Sequence, residues 1–264
     1  GYYAFVPLYI FLIIKSTECS KNISLSLLAI SSLLLSSFFY AGASSLMPFV
    51  IYTIVVTLCI YCIFFKLKFK IILNNLIISF VLTFLLSYSK INYTFAYLEL
   101  FPRDINSAIL FYFFSFIYTF FSSLFVVPDP FFFDKHQFHI EKSYVYLHEL
   151  EYSISILPAL IILYCTIFMK KNFGIKKSSW IIIFILLFLP TVLMVQIPHL
   201  STIINDLPLI SSTWVRVRWL SIYIIPIVLI STFLLNQIKI KNKFIMISLL
   251  IIPICQNYFY IEAK

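Results

Sequence analysis

Residues 207–236 read LPLISSTWVRVRWLSIYIIPIVLISTFLLN, and this stretch decides the class of fold. All of its charge lies in Arg216 and Arg218, with Trp214 and Trp219 beside them. Residues 220–235 then run on without another charge. Tryptophan at the head of such a run marks a membrane–water interface, so Trp214 and Trp219 are read as interfacial anchors. Two arginines at that depth are costly unless they meet anions or snorkel to the headgroups. The remainder of the chain is expected to present this loop, with residues 136–151, on one side of a bilayer.

Composition carries the same reading outward. Of 264 residues, 62% are hydrophobic and only 11% charged, and the mean hydropathy is +1.03. Soluble domains are nearer half apolar and a quarter charged. Barrel strands would alternate every second residue, whereas runs such as 181–189 are solidly apolar, so the spans are helices. The expected fold is all-α: a polytopic transmembrane helical bundle of about eight spans plus one re-entrant or interfacial helix. Residues 1–264 are read as a single integral membrane domain, since no hydrophilic block is long enough for a soluble one. The chain starts at Gly1 rather than methionine, and its first apolar run is short, so it is read as the later part of a longer protein. Phe 30 and Tyr 18 against Gly 3 fit an AT-rich bacterial or organellar genome. The expected location is the cell inner membrane, with the mitochondrial inner membrane as the alternative. So few glycines also argue against tight helix pairs of the GxxxG kind.

Helices are predicted at residues 2–14, 23–42, 47–65, 71–88, 152–169, 179–197, 219–236 and 244–260. Pro158, Pro190, Pro226 and Pro253 fall inside these runs, and each is expected to kink its helix. Twelve of the lysines fall in four short connections that contain one acid, Glu18, a net charge of +11. The opposite loops hold seven basic residues and nine acids, a net charge of −2. By the positive-inside rule the lysine loops are cytoplasmic. The basic balance is thus a topology signal, and nucleic acid is excluded as a partner; the lipid bilayer is the partner it implies. This orientation leaves residues 108–127 unable to cross once. An interfacial or re-entrant element is expected there; the alternative pairs it with the short run 93–101.

The outer loops hold the polar chemistry. Arg103 and Asp104 stand in the first, His148 and Glu149 in the second, and Asp206 in the third; together they form the candidate outer-face polar site. Arg216 and Arg218 flank Val217, and in extended backbone they would share a face. Their planar forks match phosphate oxygens, which makes them the candidate lipid-phosphate ligands; headgroup anchoring is the simpler reading. Glu149 and Glu151 before an inward-going helix are explained by its dipole, or else serve as carboxylates aimed at an outer cavity. His136 and His139 have helical spacing, but no third ligand is identifiable, so no metal is expected. Cys59 and Cys62 form a CxxC inside an apolar run, which reads as two buried thiols one turn apart. Three glycines cannot make a phosphate loop, and no cofactor is implied.

Two of these segments carry a family resemblance. Residues 147–164, LHELEYSISILPALIILY, resemble the "H-E … Y-I-G-x-x-P-L-x-L" start of a helix in multispanning bacterial proteins of the GT-C glycosyltransferase superfamily. Ser155 stands where that family has glycine. Residues 207–230 resemble the family's later "P-x-x-S-S-x-x-x-R-W" loop and the helix after it. The likeness covers roughly residues 101–235. It implies a transferase that moves a sugar from a polyprenyl-phosphate carrier, with Arg216 or Arg218 on the carrier phosphate. The superfamily's catalytic acid lies in the first outer loop, yet residues 41–46 contain none. The catalytic residue is therefore unassigned. A chain without the activity would be a structural subunit of a respiratory or photosynthetic complex, with other membrane subunits as partners.

Overall fold

Glycine occurs only at positions 1, 42 and 174, so the long apolar runs carry nothing that favours breaking a helix. The computed structural model describes residues 2–41, 46–100, 113–125, 152, 154–168, 175–195, 197, 216–237, 251 and 255. For residues 98–100, 113, 115, 168, 216 and 217 it describes the backbone alone. About 90% of the described residues are helical and none forms a β-strand. The α-helices are α1 (Val6–Ser16), α2 (Lys21–Tyr40), α3 (Met47–Phe65), α4 (Phe69–Leu100), α5 (Phe113–Phe125), α6 (Leu157–Phe168), α7 (Lys177–Met194) and α8 (Ile224–Gln237). Short 3-10 helices at Tyr2–Phe5 and Arg216–Tyr223 lead into α1 and α8. Among the described residues, five helices are long and apolar enough to cross a membrane: Lys21–Tyr40, Met47–Phe65, Phe69–Tyr97, Lys177–Met194 and Arg218–Gln237. Helices α1, α5 and α6 are apolar but shorter. Most of the predicted helix at 244–260 lies outside the described residues.

Three sequence expectations change. Helix α4 does not stop near residue 88 but continues to Leu100, a run of 32 residues. At 1.5 Å per residue that is about 48 Å, more than the ~30 Å hydrocarbon core. The run 93–101 is therefore not a separate half-helix that could pair with 108–127; its residues up to Leu100 prolong α4 in the same direction. Helix α6 starts at Leu157, five residues later than predicted. Pro158 thus sits in its first turn, where its missing N–H costs nothing, and is not a mid-helix kink. Pro226 likewise sits in the first turn of α8, directly after the 3-10 segment. Pro190 does lie inside its helix, α7.

The described residues group into two compact units. In the first, formed mostly by residues 1–106, α1 lies against α2, α3 and α4, and α2 packs along α4. The inner stripe of α4 is Ile72, Leu76, Ser79, Thr83 and Ser87, all buried at intervals of three and four. Ser79 is its hub. The Tyr9 hydroxyl donates to Ser79 Oγ at 3.0 Å, and Ser31 Oγ shares a hydrogen bond with it at 2.8 Å. Ser32 Oγ donates to the Ser79 carbonyl at 3.1 Å, as Thr83 Oγ1 does at 2.8 Å. Further out, the Tyr40 hydroxyl donates to the Leu86 carbonyl. At the other end Asn75 Nδ2 donates to Ser16 Oγ.

The order of these partners fixes helix direction. Ser31 and Ser32 meet Ser79, and Tyr40 meets the later Leu86, so α2 and α4 are parallel. Tyr9 and Ser16 meet successively earlier ones, so α1 is antiparallel to both. The end of α1 and the starts of α2 and α4 therefore lie together. With them come Lys15, Lys21, Lys66, Lys68 and Lys70, the charges of the first two predicted lysine loops. Lys70 and Lys90 bracket a charge-free stretch of α4 about 30 Å long, the hydrocarbon thickness of a bilayer.

The outward faces are apolar. Phe84, Leu85, Val81 and Ile77 of α4 are exposed, Leu85 at 65%, while Ser79 is at 0%. In water the arrangement would be the reverse. In lipid no hydrophobic force pulls helices together, and hydroxyl groups bonding across small-residue contacts do so instead. The pattern is that of helices in a bilayer. Serine, with its small side chain, fills the close-approach role that the scarce glycines leave open.

In the second unit, formed mostly by residues 107–206 and 214–264, α8 packs on α6, and the 3-10 segment packs on α5 and α7. Helix α5 has the same inverted pattern: Thr119, Ser122 and Ser123 are buried, while Phe114 and Phe121 are exposed. Its 13 described residues span about 20 Å.

Candidate functional site

The arginine stretch WVRVRWLSIYIIP folds as a 3-10 helix over its eight residues Arg216–Tyr223 and becomes α-helical at Ile224. Pro226 explains where the change falls. In α geometry the Ile222 carbonyl would need the N–H of residue 226, which proline lacks, and the ring would crowd that carbonyl. In 3-10 geometry the same carbonyl needs residue 225, an isoleucine with an N–H. Ser221 contributes at the next turn: its hydroxyl donates to the Arg218 carbonyl at 2.8 Å.

The coil corrects the shared face that extended backbone would have given the two arginines. Three residues per turn set positions 216 and 218 about 120° apart around the axis. Arg216 falls on the strip of Trp219 and Ile222, and Arg218 on that of Ser221. Trp219 is buried at 4% exposure, as are Leu220, Ile222 and Tyr223, while Arg218 is half-buried. A half-buried guanidinium carries a permanent charge and five donors in a fixed fork, a geometry suited to two oxygens of one phosphate or carboxylate.

Tyr223 ties the stretch to its neighbours. Its hydroxyl shares a hydrogen bond with Thr191 Oγ1 of α7 at 2.9 Å. Its ring meets Phe120 of α5 edge-on, with centroids 5.0 Å apart and an interplanar angle of 82°. Next to these, the Ile154 N–H donates to the Leu124 carbonyl at 2.8 Å, joining the end of α5 to the approach to α6. Ser155 follows with φ of 75°, and its hydroxyl accepts from the Leu157 N–H at 3.2 Å.

Of the predicted site residues, Arg218 and Trp219 are described in full, and Arg216 by its backbone. Trp214, Arg103, Asp104, His148, Glu149 and Asp206 lie outside the described residues, as do His136 and His139. Cys59 and Cys62 are free thiols one turn apart in α3. Sequence reasoning missed Tyr223, Thr191 and Phe120. The signal was present: a tyrosine at the start of an apolar run, and a threonine directly after a mid-helix proline. Compared with known proteins, the chain matches no family model, no curated protein and no solved structure.

Proposed function

We propose that this chain is a multispanning protein of the cell inner membrane that binds a polyprenyl-phosphate-linked sugar on its outer side, in the manner of lipid-linked sugar transferases. In this reading about eight helices cross, α5 is the re-entrant or interfacial element, and the lysine-bearing ends face the cytoplasm. The observation that carries it is Arg218, half-buried at the mouth of an apolar helix, where a phosphate on a long isoprenoid chain would present its charge. Ser155 adds support. A left-handed backbone is cheap for glycine and costly for other residues, and Ser155 adopts it at the position where the family pattern has glycine.

The test is binding of a labelled polyprenyl phosphate to the purified protein. Lysine keeps the charge but loses the fork. Losing one hydrogen bond to a charged group costs about 1.5–3 kcal/mol, roughly a tenfold to hundredfold loss of affinity. Arg218→Lys is expected to weaken binding by that factor, and more than Arg216→Lys does. No binding by the unaltered protein removes the reading; equal binding by all three proteins removes the bidentate role.

The first unit favours a second reading, a structural subunit of a membrane complex. Neither residues 22–65 nor residues 71–89 contain an acid, lysine, arginine or histidine, and Ser31, Ser32, Ser79 and Thr83 of their helices bond to one another. A discrete native complex containing the chain, with no polyprenyl-phosphate binding, would favour this alternative.

A further inference from the structure

We propose that the turn joining α3 to α4 is a docking surface for the anionic phospholipid headgroups of the leaflet on its side of the membrane. Residues 65–70 read FKLKFK, and all six side chains are exposed. Phe65, Leu67 and Phe69 stand at 48%, 38% and 48% exposure. Backbone hydrogen bonds hold the turn. Lys66 caps α3 in left-handed backbone, with φ of 53°, and the Leu67 N–H donates to the Cys62 carbonyl at 3.1 Å. The Ile71 N–H donates to the Lys68 carbonyl at 3.0 Å. Three apolar side chains are thereby interleaved with three lysines at one end of a helix pair. At a bilayer surface the apolar ones enter the acyl boundary, and the ammonium groups stay among the headgroups.

The neighbouring connection adds charge. Asn75 of α4 meets Ser16, so the end of α1 lies beside the start of α4. Glu18 acts electrostatically on Tyr61, one turn before Phe65, so the link from α1 to α2 also lies beside the end of α3. Lys15, Lys21, Lys66, Lys68 and Lys70 thus share one end of the unit with a single acid, Glu18, which Lys15 already holds at 2.8 Å. Lys21, Lys66, Lys68 and Lys70 are exposed and form no ion pair among the described residues. Orientation needs only that lysines fall on this side. It does not account for Lys21 and Lys70 in the first turns of α2 and α4, where a positive charge opposes the helix dipole. Nor does it account for exposed rings between the lysines. Anionic phospholipids answer both: their phosphates neutralise the ammonium groups, and their acyl chains cover Phe65 and Phe69.

The experiment uses the full chain in vesicles of phosphatidylcholine and phosphatidylglycerol, with brominated acyl chains on one lipid at a time. A fluorophore at Ile71→Cys, in a background with the five native cysteines replaced, is quenched by whichever lipid sits at the turn. Both leaflets contain both lipids, so the direction of insertion does not enter. A lysine near an anionic surface is worth a factor of roughly five, and the unaltered turn is expected to favour phosphatidylglycerol by about that factor or more. Lys66→Gln, Lys68→Gln and Lys70→Gln together should abolish the preference, whereas arginine at the same three positions, which keeps the charge, should retain it. Equal quenching by the two lipids in the unaltered protein overturns the proposal, as does a preference that survives the triple glutamine change. Should that variant fail to fold, salt decides on the unaltered protein. At about 1 M the screening length is about 3 Å; a preference that collapses there upholds the proposal, and one that persists overturns it. Inorganic phosphate added at matched ionic strength should leave the preference intact; its loss would show a site for free anions and overturn the lipid assignment. Arg218 takes no part in this measurement, so failure here leaves the polyprenyl-phosphate reading standing.

Discussion

The two units hold their helices together in different ways. In the first, cohesion is spread along the seam of α2 and α4, where hydroxyls of Ser31, Ser32, Ser79 and Thr83 bond in succession. In the second, Tyr223 latches the 3-10 segment to two neighbours, meeting α7 through its hydroxyl and α5 through its ring. Long helices offer several turns over which small side chains can repeat, as α4 does with Ser79, Thr83 and Ser87. A distributed seam resists rearrangement, because moving one contact strains the next. The segment bearing the arginines sits on the latch.

The strongest way to break this contrast is to block the seam at its hub. Ser79→Leu adds three heavy atoms at a fully buried position and removes the hydroxyl that Tyr9 and Ser31 meet. Overpacking costs about 1–3 kcal/mol, and each lost interhelical hydrogen bond in a membrane about 0.6 kcal/mol. The expected loss is about 3 kcal/mol, read from unfolding of the purified protein in mixed micelles. Ser79→Ala, which keeps the close approach, should lose much less. Equal losses for the two would mean that close approach is not what the small residue provides.

A backbone position in the second unit gives the next effect. Ser155 holds φ of 75° with its hydroxyl accepting the Leu157 N–H. A β-branched side chain in left-handed backbone costs about 1–2 kcal/mol. Ser155→Val should destabilise by about that amount, while Ser155→Gly, which relieves the strain but frees the unfolded chain, should be close to neutral. A neutral Ser155→Val in the same unfolding assay would show that the position does not need its positive φ.

Much of this architecture was legible in the sequence, and what was not has physical causes. Helix α3 spans residues 47–65 as hydropathy predicts, because Pro48 suits its first turn and Lys66 ends it in a left-handed cap. Hydropathy ends α4 at Tyr88, because it senses the bilayer and not the helix, which runs on to Leu100. Beyond Lys90 the chain is more polar, yet nothing between Phe69 and Phe101 is glycine or proline, and Pro102 is the first stop signal. The seam carries no charge to mark it. Serine and threonine recurring every three or four residues in an apolar run were the mark of the buried stripe. At the candidate site, Arg218 and Trp219 could be named from sequence. The 3-10 coil could not, since it depends on how Pro226 redirects bonding one turn earlier.

The latch itself should yield a smaller effect. Tyr223→Phe removes the bond to Thr191 and leaves the ring against Phe120. Paired with Thr191→Val in a double-mutant cycle, it should give a coupling of about 1 kcal/mol, in the range for a hydrogen bond between helices in a membrane. A coupling near zero would mean that the ring contact alone seats the segment, and the contrast between the units would narrow to shape.

The smallest expected effect lies at the lysine-bearing end of the first unit, and its sign follows from the charges. Lys15 Nζ donates to Glu18 Oε2 at 2.8 Å. That hydrogen bond, and then the carboxylate's charge, raise the Lys15 pKa above its usual value. A raised lysine pKa means that the folded state holds its proton more firmly than the unfolded one. The contribution is thus fully present below the unfolded pKa, about 10.4, and is lost as pH rises through the higher folded value. Both side chains are about half exposed, at 48% and 54%, so water and salt screen the pair. Glu18→Gln should therefore leave the unfolding midpoint unchanged within error from about pH 6 to 9 at ~0.15 M salt. At low salt any gap between the two proteins should close as pH rises through the raised folded pKa of Lys15. A gap that opened with rising pH would reverse the sign, and would mean that Lys15 does not owe its charge state to Glu18.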